Sequence, residues 1–101
     1  MNDLIGQHAI ITGGGSGIGL ACARTFLRDG ASVTLLGRTQ STLEQAITTL
    51  NDDLPARSGE VCCSVADITD EQALADAIAN AHRRLPITLA VANAGTGAAS
   101  P

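Results

Sequence analysis

A cluster of glycines near the start of the chain constrains its fold more than any other feature. Five of the seven residues at 13–19 are glycine, and they follow a short, mostly apolar run at 8–12. Such a run is typical of a buried parallel strand. Residues 18–26 repeat apolar side chains at helical spacing, so the glycines join a strand to a helix. They allow the backbone to turn sharply and to approach a ligand closely.

The rest of the chain alternates between the same two patterns. Strand-like runs are predicted at 32–36, 60–65 and 87–92, with helical patterns at 41–54 and 69–84 between them. Helices long enough to cross a sheet between successive strands imply parallel strands and right-handed crossovers. The order β-α-β-α-β-α-β therefore predicts an α/β fold, a partial, Rossmann-like, doubly wound parallel sheet with strand order 3-2-1-4.

Local signals suggest where the predicted helices begin and end. Ser41 with Glu44, and Thr69 with Gln72, have the spacing of a capping box at a helix start. The first helix is predicted to end near Gly30, because glycine can adopt the left-handed conformation of a C-cap. The strand order then places the first two helices on one sheet face and the third on the other.

Composition argues against several classes of function. The net charge is −4, and the six basic residues, all arginines, do not form the cluster that nucleic-acid binding requires. The apolar runs are too short to cross a membrane, and the first residues do not resemble a secretory signal. The three cysteines lack a zinc-binding spacing, so we expect no metal. We expect small, buried cysteines in a cytoplasmic protein.

The glycine spacing points to a known family. Residues 12–19 read Thr-Gly-x-x-x-Gly-x-Gly, which is neither G-x-G-x-x-G nor a phosphate-binding P-loop. This pattern resembles the short-chain dehydrogenase/reductase family in its non-extended branch, since the extended branch has glycine where Ser16 stands. Residues 67–70, Asp-Ile-Thr-Asp, resemble the family's adenine-binding motif, and residues 93–95, Asn-Ala-Gly, resemble the motif after its fourth strand.

The resemblance implies a dinucleotide cofactor held at the ends of the strands. Free N–H groups at the start of the first helix would bind its pyrophosphate. A tight turn without a ligand is the alternative for the glycines, and a polar loop residue is the alternative for Asp67. The predicted cofactor-binding residues are Gly13, Gly15, Ser16, Gly17, Ile18, Gly19, Arg38, Thr39, Asp67, Ile68, Asn93, Ala94 and Gly95.

The end of the second strand bears on which cofactor is bound. A NAD-binding unit places a carboxylate about twenty residues after the glycine loop. This chain has Gly37-Arg38-Thr39 there, and a guanidinium can bind a 2′-phosphate through two hydrogen bonds. We therefore expect NADP, with NAD less favoured. A solvated arginine without a ligand remains the alternative interpretation.

The composition also excludes catalysis by this stretch alone. Members of the family that the chain resembles use a tyrosine acid/base, a lysine, a serine and an asparagine to transfer hydride to or from a carbonyl or alcohol substrate. The chain contains no tyrosine and no lysine, so we expect no catalytic residue within it. Residues 1–101 are predicted to be the NAD(P)-binding N-terminal portion of a longer single-domain enzyme. The alternative is a stand-alone dinucleotide-binding module without catalysis.

The family resemblance and the predicted strand order each suggest binding partners. The resemblance implies a small-molecule substrate and a homo-oligomer, a dimer or a tetramer. The predicted fourth strand would be an exposed apolar edge, which favours pairing with another chain or with the missing remainder of this one.

Overall fold

Seven elements alternate along the chain in the computed structural model, which describes residues 3–13, 17–55 and 59–92. Their order confirms the predicted β-α-β-α-β-α-β sequence. The elements are β1 (His8–Thr12), α1 (Gly17–Arg28), β2 (Ser32–Gly37), α2 (Gln40–Asp53), β3 (Val61–Val65), α3 (Glu71–Arg84) and β4 (Leu89–Ala92).

The four strands form one parallel sheet in the order β3-β2-β1-β4, as predicted. In register, Ile10 of β1 lies opposite Thr34 of β2 and Ala90 of β4. The strands are parallel throughout, so each connection must cross from one end of the sheet to the other, and the helices make these crossings. The carboxyl ends of all four strands therefore lie at a single edge.

Two hydrophobic clusters cover the two faces of this sheet. On one face, α1 and α2 pack on alternate residues of the central strands, including Ile11 and Leu35, which are fully buried. On the other, Ala77 and Ala81 of α3 pack against Ile10. Successive strand residues point to opposite faces, which explains why neighbours in β1 belong to different clusters. The predicted division of the helices between the faces is confirmed.

The outer strands are less buried than the central ones. β4 contributes two half-buried side chains, Leu89 and Val91, to the first cluster, while Ala90 and Ala92 are exposed. The two outer strands are also shorter than predicted. β3 begins at Val61 rather than residue 60, and β4 begins at Leu89 rather than residue 87.

Both capping-box predictions were wrong. Helix α2 begins at Gln40 after the N-cap Thr39, and the Glu44 carboxylate accepts a hydrogen bond from the Gln40 amide at 2.7 Å instead of capping at Ser41. Helix α3 has Asp70 as its N-cap because the Thr69 hydroxyl donates to Asp67 instead.

Candidate functional site at the carboxyl edge of the sheet

The turn after β1 uses two glycines in a backbone conformation that other residues rarely adopt. Gly13 has φ of +70°, and its N–H donates to the Leu36 carbonyl of the neighbouring strand at 3.0 Å. Gly17, the first residue of α1, has φ of +62°. Only glycine enters this left-handed region at little cost. The glycines therefore let the chain pass abruptly from β1 into α1 at the carboxyl edge.

The start of α1 is open to solvent. A Cβ built on Gly17 would meet nothing within 4 Å, and the next side chain, Ile18, is 67% exposed. Gly19, by contrast, is buried. The first N–H groups of a helix have no partner within the helix, and the helix dipole favours an anion there. This end of α1 thus has the geometry and the sign of charge that a phosphate group needs.

The end of β2 carries a positive charge and no carboxylate. The Gly37 carbonyl accepts a hydrogen bond from Ala66 N at 2.8 Å, so the last residue of β2 is tied to β3. The next two residues, Arg38 and Thr39, are exposed. In the part of the chain that the structure describes, the Arg38 guanidinium makes neither a hydrogen bond nor a salt bridge. No hydrogen bond to a described residue therefore occupies its donors, which could bind an anion.

Asp67 lies at the same edge after β3. Its Oδ1 accepts hydrogen bonds from the Thr69 hydroxyl at 2.7 Å and the Thr69 N–H at 2.9 Å. These two bonds lower the pKa of Asp67, and the positive charge of Arg38 acts in the same direction. Asp67 is therefore an anion at neutral pH, within electrostatic range of Arg38. Ile68, the following residue, is half-buried.

Eight of the predicted cofactor-binding residues can be placed in the structure. They all lie at or just beyond the carboxyl ends of β1, β2 and β3, where the predicted doubly wound fold would bind a ligand. They are Gly13, Gly17, Ile18, Gly19, Arg38, Thr39, Asp67 and Ile68. The other five, Gly15, Ser16, Asn93, Ala94 and Gly95, lie outside the described residues.

The sequence interpretation missed two residues at this edge. Val65, the last residue of β3, is 48% exposed although valine usually lies inside a sheet, and it is two residues from Asp67. The Thr12 hydroxyl donates to the Val91 carbonyl at 3.4 Å and so links β1 to β4. Each of the two residues ends a predicted strand, and ligands bind at this end of the strands. That position could have identified both residues from the sequence.

Other reactive side chains lie away from this edge. Cys22, Cys62 and Cys63 are free thiols and half-buried, so the cysteines are less buried than predicted. Burial raises the pKa of the Cys63 thiol, and the nearby Glu44 carboxylate raises it further. Across residues 3–13, 17–55 and 59–92 no group of three or more His, Cys, Asp or Glu could hold a metal ion. None of the helices in these ranges has the length and apolar character of a membrane span.

The sheet order, the helix placement and the glycine turn define a Rossmann-like α/β protein. The family to which the chain belongs is that of the short chain dehydrogenases, whose family model matches residues 7–101. The chain is 39% identical over 98 residues to oxidoreductase asL5 of Sarocladium schorii, a match that covers 97% of this chain and 37% of that protein. The chain thus spans just over a third of that relative's length.

Solved structures show the same architecture with either nicotinamide cofactor. L-Sorbose reductase from Gluconobacter frateurii, complexed with NADPH and L-sorbose, matches with a TM-score of 0.72 and 28% identity, covering 85% of this chain and 32% of that one. An NAD+-bound xylitol dehydrogenase also matches with a TM-score of 0.72, at 27% identity, covering 81% of this chain and 30% of that one. These similarities therefore do not show which of the two cofactors this chain binds.

Proposed function

We propose that the protein containing this chain is an NADP(H)-dependent oxidoreductase that interconverts a small carbonyl compound and the corresponding alcohol. The observation that carries the cofactor assignment is the exposed Arg38 at the end of β2, whose guanidinium makes no hydrogen bond or salt bridge to the described residues. No carboxylate stands at 37–39, where a NAD-binding unit would place one on the ribose hydroxyls. A 2′-phosphate would instead find a planar, permanently charged donor.

Different residues would bind different parts of the cofactor. The open start of α1, with Gly17 and Ile18, would hold the pyrophosphate. Arg38 and Thr39 would hold the 2′-phosphate, and Asp67 with Ile68 would bind the adenine. The sequence adds Gly15, Ser16 and residues 93–95 to the same cleft. When bound, the nicotinamide supplies or accepts the hydride.

We assign no catalytic role to residues 1–101. The chain has no tyrosine or lysine to move the proton that accompanies hydride transfer, and we expect these groups beyond residue 101. We further expect a homo-oligomer. We also expect a cytoplasmic location, with which the free cysteines are consistent. The described part of the chain supports no particular substrate.

A stand-alone dinucleotide-binding module remains the second candidate, favoured by the absence of those two residue types. The intact natural protein distinguishes the candidates. A longer chain with a Tyr-x-x-x-Lys sequence that turns over NADPH supports the enzyme. A protein that consists of these 101 residues and binds the cofactor without turnover supports the module.

The substitution Arg38→Asp tests the cofactor assignment. In the full-length protein it should weaken NADPH binding about tenfold or more, because a charged hydrogen bond to the 2′-phosphate is lost and a carboxylate repels it. It should also favour NADH, whose ribose hydroxyls can donate to the new carboxylate. Dissociation constants for both cofactors, from quenching or enhancement of their fluorescence, measure the change.

Arg28→Asp is the matched control for this experiment. Arg28 is exposed in the last turn of α1, at the end of the helix away from the glycine turn. The same change of charge there should leave the ratio of the two dissociation constants unaltered. The cofactor assignment is wrong if Arg38→Asp leaves that ratio unaltered as well.

A further inference from the structure

A cavity of about 320 Å³ lies at the amino edge of the sheet, at the opposite end of the strands from the candidate cofactor site. It lies where β1, β2 and β3 begin and where α3 ends, and its lining includes His8, Glu60, Cys62, Arg84 and Leu85. Glu60 and Arg84 are exposed, so the cavity opens to solvent. Pockets that bind small molecules have volumes of about 300–1,000 Å³. This cavity is therefore large enough for a small metabolite.

Buried hydrogen bonds hold the arginine of this cavity in place. The Arg84 guanidinium donates to the Thr34 hydroxyl at 2.8 Å, and that hydroxyl lies 2.8 Å from Nε2 of His8. Nδ1 of His8 lies 2.6 Å from the Leu85 carbonyl oxygen. Thr34 is fully buried and His8 is 1% exposed. Anchoring of this kind lowers the side-chain entropy that Arg84 would lose when it binds a ligand.

The other donors of Arg84 remain for a ligand. A guanidinium has five N–H groups, arranged in a fork that binds a carboxylate through two hydrogen bonds. Within residues 3–13, 17–55 and 59–92, this guanidinium donates only to Thr34 and pairs with no carboxylate. Arg84 also lies in the last turn of α3, where the helix dipole favours a cation. The dipole explains a positive charge at this position but not its anchoring by buried side chains.

A carboxylate, that of Glu60, also lines the cavity. The backbone of Glu60 is fixed, because its N–H donates to the Ser32 hydroxyl at 3.1 Å and its carbonyl accepts from Val33 N at 2.8 Å. In the described part of the chain, the Glu60 carboxylate forms no salt bridge with Arg84. Glu60 would repel a ligand with a carboxylate alone, and Arg84 would repel one with an ammonium group alone. A ligand that carries both charges is complementary to both residues.

We propose that this cavity binds a free α-amino acid with a small apolar side chain. The carboxylate of the ligand would accept hydrogen bonds from Arg84, and its ammonium group would donate to Glu60. Its side chain would pack on Leu85, which is 36% exposed. The half-buried Cys62 thiol also lines the cavity, so the ligand would cover it. The site needs no cofactor and does not depend on the proposed function.

Alkylation of Cys62 reports binding in the full-length protein. L-Valine is the probe, and its matched controls are isovalerate, which lacks the ammonium group, and isobutylamine, which lacks the carboxylate. At constant pH and ionic strength, L-valine at about 10 mM should slow the labelling of Cys62 by iodoacetamide about fivefold or more, as expected for a dissociation constant of about 2 mM or lower. Mass spectrometry of peptides measures the labelling of each cysteine.

The neighbouring thiol and the two control ligands make the result specific. Cys63 packs in the cluster on the opposite sheet face, so L-valine should not slow its labelling. Each control ligand should bind about tenfold or more weakly than L-valine, since it loses one charged contact and is repelled by the remaining charge. Unchanged labelling of Cys62 with L-valine, or equal protection by either control ligand, would overturn the proposal.

Variants of the two charged residues separate ligand binding from a merely structural role. Arg84→Gln should weaken L-valine binding about tenfold or more, whereas Arg83→Gln, in the same turn but outside the cavity lining, should leave it unchanged. Glu60→Gln should weaken L-valine binding but strengthen isovalerate binding, because the repelling carboxylate is gone. Glu60 is exposed and contacts β2 through its backbone, so this variant should fold. An affinity for isovalerate that does not rise in Glu60→Gln would overturn the proposal.

Discussion

At the scale of single residues, Gly59 shows how the absence of a side chain permits a close approach between strands. A Cβ there would lie 1.9 Å from the Ala31 carbonyl oxygen, far inside van der Waals contact. The backbone cannot simply move away, because Glu60 N donates to the Ser32 hydroxyl and Val33 N donates to the Glu60 carbonyl. The residues before β3 are therefore held against the start of β2.

Gly59→Ala should lower the free energy of unfolding of the full-length protein by about 1–3 kcal/mol, the usual cost of overpacking. Gly37→Ala is the matched control, because its Cβ would lie 3.2 Å from the end of the Leu43 side chain, a much smaller overlap than the 1.9 Å to backbone at Gly59. The midpoints of urea unfolding, at unchanged slope, measure both effects. If Gly37→Ala lowers the free energy of unfolding as much as Gly59→Ala does, the close approach at Gly59 is not the cause of the loss.

At the scale of elements, the sequence predicts the number and order of helices and strands but not where the helices begin. Apolar periodicity extends over many residues, so one unusual position does not hide it. A helix start depends on which of several neighbouring polar side chains reaches the free N–H groups. Asp67, Thr69 and Asp70 all compete at the start of α3, and only the structure shows that Asp70 caps it.

Asp70→Ala should lower the free energy of unfolding by about 0.5–2 kcal/mol, since its carboxylate accepts hydrogen bonds from Gln72 N and Ala73 N, both at 3.1 Å. Ser41→Ala should change it by less than about 0.5 kcal/mol, because Ser41 is exposed inside α2 and does not cap it. Chemical denaturation of the two variants measures the difference. If Ser41→Ala lowers the free energy of unfolding by more than Asp70→Ala does, Ser41 caps α2 as the sequence predicted.

At the scale of the whole molecule, the strand order was predictable because few topologies satisfy parallel strands with right-handed crossovers. The positions of Arg38 and Asp67 at a common edge followed from that order. The contact between the His8 imidazole and the Leu85 carbonyl was not predictable, because the two residues are 77 positions apart in sequence and neither is part of a recognisable motif.

We propose that this chain binds NADP(H) through the exposed Arg38 guanidinium at the end of β2. The most direct test is the ratio of the dissociation constants of NADH and NADPH for the wild-type full-length protein. We predict that NADPH binds about tenfold or more tightly, as expected for a charged hydrogen bond to the 2′-phosphate. Equal affinity for the two cofactors, or tighter binding of NADH, would contradict the claim.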